Sequence, residues 1–307
     1  GKSIGSSTNI LNAKKIIESE KGPVVVIISA FGGITDKLLE ASCLAASGNA
    51  SYESIYDYIV DYHYNIISGL NLTASKAEKL TQEAGLLLEE LENIFKGVYL
   101  INDLSNRTSD KIVSYGERLS TLIISYAFDD FEILDATQLI KTDTAFNKHT
   151  PDIELSSSLI KNAYASSSGK VLVAGFISSC KIKSEITNLG RGGSDYTAAI
   201  FAAALNADVL EIWTDVDGFM SADPKVINNA YVIDNLTFTE ATELCNFGAE
   251  VIYPPTIFPV YHKNIPIRIK NSFNPTAAGT FISHDGGVKK GKSLIKGISS
   301  ISDTCLI

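Results

Sequence analysis

Short apolar runs recur along the chain and alternate with stretches whose apolar positions follow a helical period. Helical patterns occupy residues 35–46, 105–126, 196–205 and 239–246. Four aliphatic runs predict strands buried on both faces, namely GPVVVIISA (22–30), KVLVAGF (170–176), DVLEIWTD (208–215) and IPIRIKN (265–271). Strands that alternate with helices predict an α/β fold with a mainly parallel sheet covered by helices.

The segment of about 51–98 departs from this alternation. It carries apolar residues at three- and four-residue spacing, with no strand pattern between its two halves. This predicts an inserted helical hairpin, which is compatible with a lid and with a structural buttress. Its tyrosines fit core packing better than stacking on a nucleotide.

Composition narrows the classes of function. The 307 residues are 45% hydrophobic, which is enough for a sizeable core, and the net charge is -9. An acidic chain is a poor partner for nucleic acid or an anionic membrane, so an anionic ligand needs a local site. The four cysteines lack CxxC spacing, and no membrane span or signal peptide is recognisable. We therefore expect a cytoplasmic protein.

The end of the sequence has a different character. HDGGVKKGKS (284–293) is rich in glycine and lysine, and SLIKGISSISDTCLI then begins like the strand of a new domain. We interpret residues 284–307 as a linker and the start of a truncated domain. Residues 1–283 then form a domain of their own.

In an α/β sheet, ligands bind at the carboxyl ends of the strands, where loops connect strands to helices. Three loops of this sequence occupy such positions. They are SAFGGIT (29–35), GRGGSD (190–195) and TDVDG (214–218). Neither the GxxxxGKS phosphate loop nor the GxGxxG fingerprint is present. Taken singly, these loops are more often turns, surface ion pairs or helix caps. The order of the three loops and their exact residues, taken together, are what indicate a ligand site.

Together with other motifs, these loops resemble the catalytic domain of aspartate kinases in the amino acid kinase family. The resemblance covers residues 1 to about 283 and rests on GKSIGSS, SAFGGITD, SYGERLST (114–121), GFI (175–177), LGRGGSDYTAA, TDVDGFMSADPKV and FGAEVIYPPT (247–256). It implies a three-layer αβα sandwich around a mainly parallel sheet, with a helical insertion. It also implies phosphorylation of the L-aspartate β-carboxylate to 4-phospho-L-aspartate, the first step of lysine, threonine and methionine synthesis.

The resemblance assigns roles to five residues of the acid-substrate site. Arg191 would clamp a substrate carboxylate in a bidentate manner, the geometry that guanidinium provides well. Glu117 would recognise the α-amino group, and Asp195 would organise the catalytic lysine and the transferring group. Ser29 and Thr35 would lie near the phosphates and the substrate.

The resemblance also implies MgATP as co-substrate, and we assign no residue as a protein metal ligand. A carboxylate is ionised at pH 7, so its attack on the γ-phosphoryl group needs no general base and no catalytic histidine. The residues assigned to the nucleotide are Gly1, Ser3, Gly192, Gly193, Thr214, Asp215, Lys225 and Glu250.

The expected organisation comes from the same resemblance. It implies a homodimer and a C-terminal regulatory domain of the ACT type, and it allows fusion to homoserine dehydrogenase without deciding it. Without the motifs, Glu117 beside Arg118 would be interpreted as an exposed helix face and Asp195 as a helix cap.

The sequence departs from the family pattern at several points. The family opens with a strand leading to KFGGTS, whereas Gly1 matches its second glycine and Lys2 its threonine. Either the strand and its lysine are omitted here, which we favour, or Lys2 substitutes for that lysine from a shifted position. Glu250 stands where lysine is usual, Lys225 where arginine is usual, and Met220 where an aromatic residue is usual. We hypothesise weaker ATP binding, which Glu250→Lys should tighten; an unchanged nucleotide Kd in that variant would contradict the hypothesis.

Two alternatives stay open. One is another amino acid kinase, acting on acetylglutamate, glutamate or a nucleoside monophosphate, although SYGERLS with GRGGSD favours aspartate. The other is a ligand-binding or regulatory module without phosphoryl transfer, which the missing lysine and Glu250 would explain.

Overall fold

The computed structural model describes residues 1–145, 148–249, 251–286 and 296–299. The chain divides into two compact units, Gly1–Thr197 and Ala198–Ile307. Glu250 lies outside the described residues. Of the linker and truncated domain predicted at 284–307, the structure describes residues 284–286 and 296–299.

The first unit contains two sheets. Its strands are β1 (Val24–Ile28), β2 (Glu132–Leu134), β3 (Lys141–Ala145), β4 (Lys148–Pro151), β5 (Lys170–Ala174), β6 (Ile177–Cys180) and β7 (Ile186–Asn188). One sheet has the order β1-β5-β2 and is parallel throughout, with Val24 paired with Lys170. The other has the order β4-β3-β6-β7, in which only the β3–β6 pair is parallel.

Helices surround these strands. After a short 3₁₀ helix at Lys2–Ile4, they are α1 (Ser7–Ser19), α2 (Ile34–Ala46), α3 (Tyr52–Ser68), α4 (Ala74–Ile101), α5 (Asn106–Ser125), α6 (Ala136–Leu139), α7 (Ile153–Ala165) and α8 (Gly193–Leu205), which continues into the second unit. Side chains of Ser6, Thr73, Ser105 and Asp152 accept backbone N–H groups at the starts of α1, α4, α5 and α7. Such caps fix where a helix begins, because they satisfy amides that have no partner inside the helix.

The core of the first unit joins α2 and α5 to the helical pair α3 and α4. Ile59, Leu80, Leu91 and Phe95 are fully buried in it. Four of the five tyrosines of α3 pack in or against this core, and the Tyr52 ring lies 6.1 Å from that of Phe95; Tyr58 is exposed. The helical periodicity of this segment therefore corresponds to a packed helical pair.

The second unit contains a mixed sheet and short helices. Its strands are β8 (Leu210–Thr214), β9 (Asn235–Thr237), β10 (Ile267–Asn271) and β11 (Thr280–Ser283), in the order β8-β10-β11-β9. The β8–β10 and β11–β9 pairs are parallel and the β10–β11 pair is antiparallel. The helices are α9 (Phe238–Asn246), a 3₁₀ turn at Pro254–Thr256, and α10 (Ile257–Tyr261). Phe219, Leu236, Ile267 and Ile269 form the centre of its core.

The fold class predicted from the sequence is confirmed as α/β with parallel-rich sheets. The four predicted strands correspond to β1, β5, β8 and β10, and the four predicted helices to α2, α5, α8 and α9. Among the described residues, no helix is both long enough and apolar enough to cross a membrane.

Candidate functional site

A cavity of about 520 Å³ lies in the first unit, between the loop after β1, the helix α5 and the start of α8. It brings together side chains and backbone from motifs far apart in the sequence. The predicted site residues that line it are Ser29, Thr35, Glu117, Arg191, Gly192, Gly193 and Asp195. Every residue assigned to the acid substrate thus lies in this cavity.

The loop after β1 is held in place by α5. The backbone N–H of Ala30 donates to Glu117 Oε1 at 3.1 Å, and Ser120 Oγ donates to the carbonyl oxygen of Ser29 at 2.8 Å. Gly116 permits this approach, because a Cβ there would lie 2.9 Å from the Cβ of Ala30. The SYGERLST segment therefore both supplies Glu117 and supports the loop.

The loop that carries Arg191 is a turn between two left-handed glycines. Gly190 has φ +72° and Gly192 has φ +67°, a region that glycine enters without steric cost. The Gly193 N–H donates to the Gly190 carbonyl at 3.0 Å, which closes the turn, and α8 begins at Gly193. Arg191 is exposed at the cavity, where its guanidinium can reach a ligand.

Two carboxyl groups in the cavity have raised pKa values. Burial raises the pKa of Glu117 to about 7, against the hydrogen bond from Ala30, which lowers it. Among the described residues, Glu117 Oε2 is buried without a hydrogen-bond partner. Burial also raises the pKa of Asp195 to about 6. Both carboxylates would be stabilised by a positive group brought into the cavity.

The starts of two helices also line the cavity. Thr35 lies in the first turn of α2 and Asp195 in the first turn of α8. The first amides of a helix have no partner inside it and attract anions, helped by the helix dipole. The cavity thus combines a cation at Arg191, buried acids and amides suited to anionic oxygens.

Other residues that line the cavity were not predicted. They are Leu39, Ser109, Val113, Phe176, Asn188 and Ser194. Phe176 and Ser194 lie inside quoted motifs, and Phe176 has the unusual φ of +65°, with its N–H donating to Thr197 Oγ1 at 3.0 Å. The motifs were therefore a usable signal for these two residues. The other four reach the cavity only through the tertiary fold.

Gly1 and Ser3 lie at the short 3₁₀ helix before α1. The Gly1 nitrogen donates to Ser29 Oγ at 2.6 Å, and the Cα of Lys2 is 3.5 Å from where a Cβ on Gly32 would be. The beginning of the chain therefore packs against the loop after β1.

The remaining predicted nucleotide residues belong to the second unit. Thr214 ends β8, and its Oγ1 donates to Asp215 Oδ1 at 3.2 Å. Lys225 is exposed, and its N–H donates to Asp223 Oδ1 at 2.9 Å. In the part of the chain that the structure describes, no group of three or more His, Cys, Asp or Glu residues is arranged to hold a metal ion.

Comparisons with known proteins agree with this arrangement of motifs. Residues 1–271 match the family profile described as "Amino acid kinase family". Aspartokinase 3, chloroplastic, of Arabidopsis thaliana is 34% identical over 94% of this chain and 53% of that protein. The bifunctional aspartokinase/homoserine dehydrogenase of Haemophilus influenzae is 34% identical over 100% of this chain and 38% of that protein.

Solved structures show the same likeness. The E. coli aspartokinase III in complex with aspartate and ADP, described as the R-state, aligns with a TM-score of 0.83 at 31% identity, over 92% of this chain and 63% of that chain. The Clostridium acetobutylicum aspartate kinase aligns with a TM-score of 0.81 at 31% identity, over 97% of this chain and 65% of that chain. The chain therefore spans 53% and 38% of the length of these two curated relatives and less than two thirds of these solved chains.

Proposed function

The chain belongs to the amino acid kinase family, and from that premise we propose that it transfers the γ-phosphoryl group of ATP to the β-carboxylate of L-aspartate. The products would be 4-phospho-L-aspartate and ADP. The relatives named as aspartokinases support this choice of reaction, as does the solved relative in complex with aspartate and ADP. Both kinds of relative are longer than this chain.

One observation carries the proposal: a single cavity presents both Arg191 and Glu117. An amino acid needs a cation for a carboxylate and an anion for its ammonium group. Arg191 can bind a carboxylate through two parallel N–H···O bonds. Glu117 has a buried Oε2 that accepts no hydrogen bond from the described residues, and a substrate ammonium would satisfy it.

The second carboxylate of aspartate supplies the nucleophile. An ionised carboxylate oxygen attacks the γ-phosphorus as the bond from phosphorus to the β,γ-bridging oxygen breaks, and ADP leaves with that oxygen. No proton has to be removed, so catalysis rests on alignment and on stabilising the charge of the transferring group. Amides at the starts of α2 and α8, together with Ser29 and Thr35, are suited to stabilise those oxygens.

The nucleotide would be bound by the residues that the sequence analysis assigned to it. In this proposal Gly1, Ser3, Gly192 and Gly193 serve the phosphates, and Thr214, Asp215 and Lys225 serve the nucleoside and phosphates. Glu250 is assigned to the same site on sequence alone. Mg²⁺ enters as MgATP, since magnesium commonly keeps its waters and binds through substrate phosphates.

The wider setting is also a proposal. The reaction would be the first step towards lysine, threonine and methionine, in the cytoplasm. A homodimer with a C-terminal regulatory domain is the expected organisation. Fusion to homoserine dehydrogenase is represented among the relatives by the bifunctional protein of Haemophilus influenzae.

The test uses the full-length protein with MgATP and L-aspartate. ADP release is followed by a coupled assay, and the acyl phosphate is trapped with hydroxylamine. We expect aspartate-dependent hydroxamate formation that Arg191→Ala abolishes. L-glutamate, N-acetyl-L-glutamate and UMP serve as competing substrates, and faster turnover of any of them would assign a different amino acid kinase activity. Aspartate binding without turnover would indicate a non-catalytic module.

A further inference from the structure

A chain of hydrogen bonds runs from the edge of one sheet to the loop that carries Arg191. His149 Nε2, on β4, lies 2.8 Å from Asp110 Oδ2, on α5. The other carboxylate oxygen of Asp110 accepts a hydrogen bond from the side-chain amide of Asn188, at the end of β7. Asn188 Oδ1 in turn accepts the backbone N–H of Gly190 at 3.0 Å.

The His149–Asp110 part of this hydrogen-bond series is shielded from solvent. The side chains of His149 and Asp110 are 17% and 15% exposed. Both oxygens of the Asp110 carboxylate are used, one by His149 and one by Asn188, so its orientation is fixed from two sides. Removing one of these two hydrogen bonds is costly, because it leaves one oxygen of a partly buried carboxylate without a partner.

The series of hydrogen bonds ends where the turn around Arg191 begins. Gly190 is the first left-handed residue of that turn, and Asn188 itself lines the cavity. Holding the Gly190 N–H fixes the direction in which the backbone enters the turn. A bidentate clamp requires a defined guanidinium orientation, so small rotations of this turn weaken it.

We propose that His149 is a positioning residue that acts through Asp110 and Asn188 to orient Arg191 for a substrate carboxylate. This inference rests on the proposed function of the cavity and adds to it a residue that touches no substrate. His149 lies on β4, outside every motif that carries the family resemblance, so no motif marked it.

Neighbouring ion pairs provide a control. Lys181 pairs with Asp143 at 2.8 Å and with Asp152 at 3.2 Å, next to the sheet that contains β4 and β7. Lys181 is one third exposed and is not among the residues that line the cavity. Lys181→Ala therefore removes an ionic link of the same region without touching the chain of hydrogen bonds to Gly190.

The experiment compares His149→Ala, His149→Gln and Lys181→Ala in the full-length protein. Loss of one hydrogen bond to a charged group should raise the KM for L-aspartate about fivefold to tenfold in His149→Ala, with kcat within about twofold of wild type. His149→Gln retains an N–H donor at the same reach and should restore most of the KM. Lys181→Ala should leave both constants unchanged.

A double variant tests whether the residues act in series. If they do, His149→Ala combined with Asn188→Ala should raise KM no more than Asn188→Ala alone. Multiplying effects, a wild-type KM in His149→Ala, or equal losses in the Gln and Ala variants would each overturn the inference.

A second readout separates this inference from the proposed function. Exchange of the Gly190 amide hydrogen, measured by NMR without substrate, should be faster in His149→Ala than in wild type and in Lys181→Ala. If wild-type protein does not turn over aspartate, the proposed function fails, while accelerated Gly190 exchange still supports the structural coupling. Unchanged exchange would overturn the coupling even in an active enzyme.

Discussion

Glu117 Oε1 accepts the backbone N–H of Ala30 at 3.1 Å, although the two residues are 87 positions apart in the sequence. This bond ties α5 to the loop after β1 and leaves the other oxygen, Oε2, buried and without a hydrogen-bond partner among the described residues. One oxygen of this carboxylate therefore makes a structural hydrogen bond, and the other can still accept one. Its protonation state links pH to binding and to stability.

Aspartate affinity should increase with pH around neutrality. Burial raises the pKa of Glu117 to about 7, and only the ionised form attracts the substrate ammonium. Protonation of one group with that pKa should raise the KM for L-aspartate about tenfold between pH 8 and pH 6. The measurement is KM across pH 5.5–8.5 at saturating MgATP.

Glu117→Gln is the control for that profile. It removes the ionisable group and keeps an oxygen for the Ala30 N–H, so KM should be high and nearly independent of pH from 6.5 to 8.5. Burial raises the pKa of Asp195 to about 6, so any slope that remains near pH 6 is assigned to Asp195. An unaltered wild-type slope in Glu117→Gln would refute the assignment.

The same substitution should stabilise the substrate-free protein at alkaline pH. The folded-state pKa of Glu117 lies above the usual value of 4.5, so the folded state retains a proton that the unfolded state releases. Folding stability therefore falls as pH rises from 4.5 through 7. The free energy of unfolding gained by Glu117→Gln should be about 2 kcal/mol larger at pH 8 than at pH 5, measured by urea denaturation. An equal gain at both pH values would contradict this linkage.

Gly116 is a position where even a methyl group should be harmful. A Cβ there would lie 2.9 Å from Ala30 Cβ and 3.5 Å from Leu38 Cδ1. Gly116→Ala should cost about 1–3 kcal/mol of stability by overpacking and should raise the KM for aspartate by displacing the loop after β1. Chemical denaturation and steady-state kinetics measure the two effects.

Gly97 provides the matched control for Gly116. It lies in the interior of α4, and a Cβ there would have no neighbour within 4 Å. Gly97→Ala should therefore stabilise the protein by up to about 1 kcal/mol through helix propensity, with unchanged KM. Similar behaviour of the two alanine variants would show that the close approach at Gly116 is unimportant.

The sequence predicted strands whose buried positions are apolar, and it missed a sheet whose buried positions are largely polar. Strands β1 and β5 were recognisable because their buried positions are Val, Ile and Leu. The sheet with β3, β6 and β7 instead buries hydroxyl groups that pair with one another: Thr187 Oγ1 lies 2.9 Å from Thr142 Oγ1 and 2.8 Å from Ser178 Oγ. Hydroxyl residues are equally common in loops, so no hydrophobic pattern marked this sheet.

The site shows the same division. Arg191, Asp195 and Glu117 were found because they lie in recognisable motifs, and the structure brings them into one cavity. Ser109 and Asn188 line the cavity because α5 and β7 pack side by side, a relationship between distant segments that local pattern does not encode. The roles of all these residues stay predictions until the variants are measured.

Arg191→Lys should separate charge from geometry in the cavity. Lysine keeps the positive charge but replaces the planar fork by a single ammonium, so one of two parallel hydrogen bonds to the carboxylate is lost. A hydrogen bond to a charged group contributes about 1.5–3 kcal/mol, so the KM for aspartate should rise about 10- to 100-fold. Full activity in Arg191→Lys would indicate that only charge is recognised.

His63 should make the first unit sensitive to acid. It is fully buried in α3 with Nδ1 2.6 Å from the Ile59 carbonyl oxygen, and its Nε2 has no hydrogen-bond partner among the described residues. Burial lowers the pKa of His63 to about 4, below the usual 6.5. The unfolded state therefore binds a proton that the folded state refuses, and stability present above pH 6.5 is lost progressively as pH falls towards 4.

The expected loss from His63 between pH 7.5 and pH 5 is about 2 kcal/mol in the free energy of unfolding. His63→Leu removes the titrating group and should reduce the difference between urea denaturation curves at the two pH values by that amount. The exposed His262 is the control, and His262→Leu should leave the difference unchanged. The His63 ring lies 5.5 Å from that of Phe31 in the loop after β1, so protonation there would disturb the loop that carries Ser29. Equal acid sensitivity in wild type and His63→Leu would place the titrating group elsewhere.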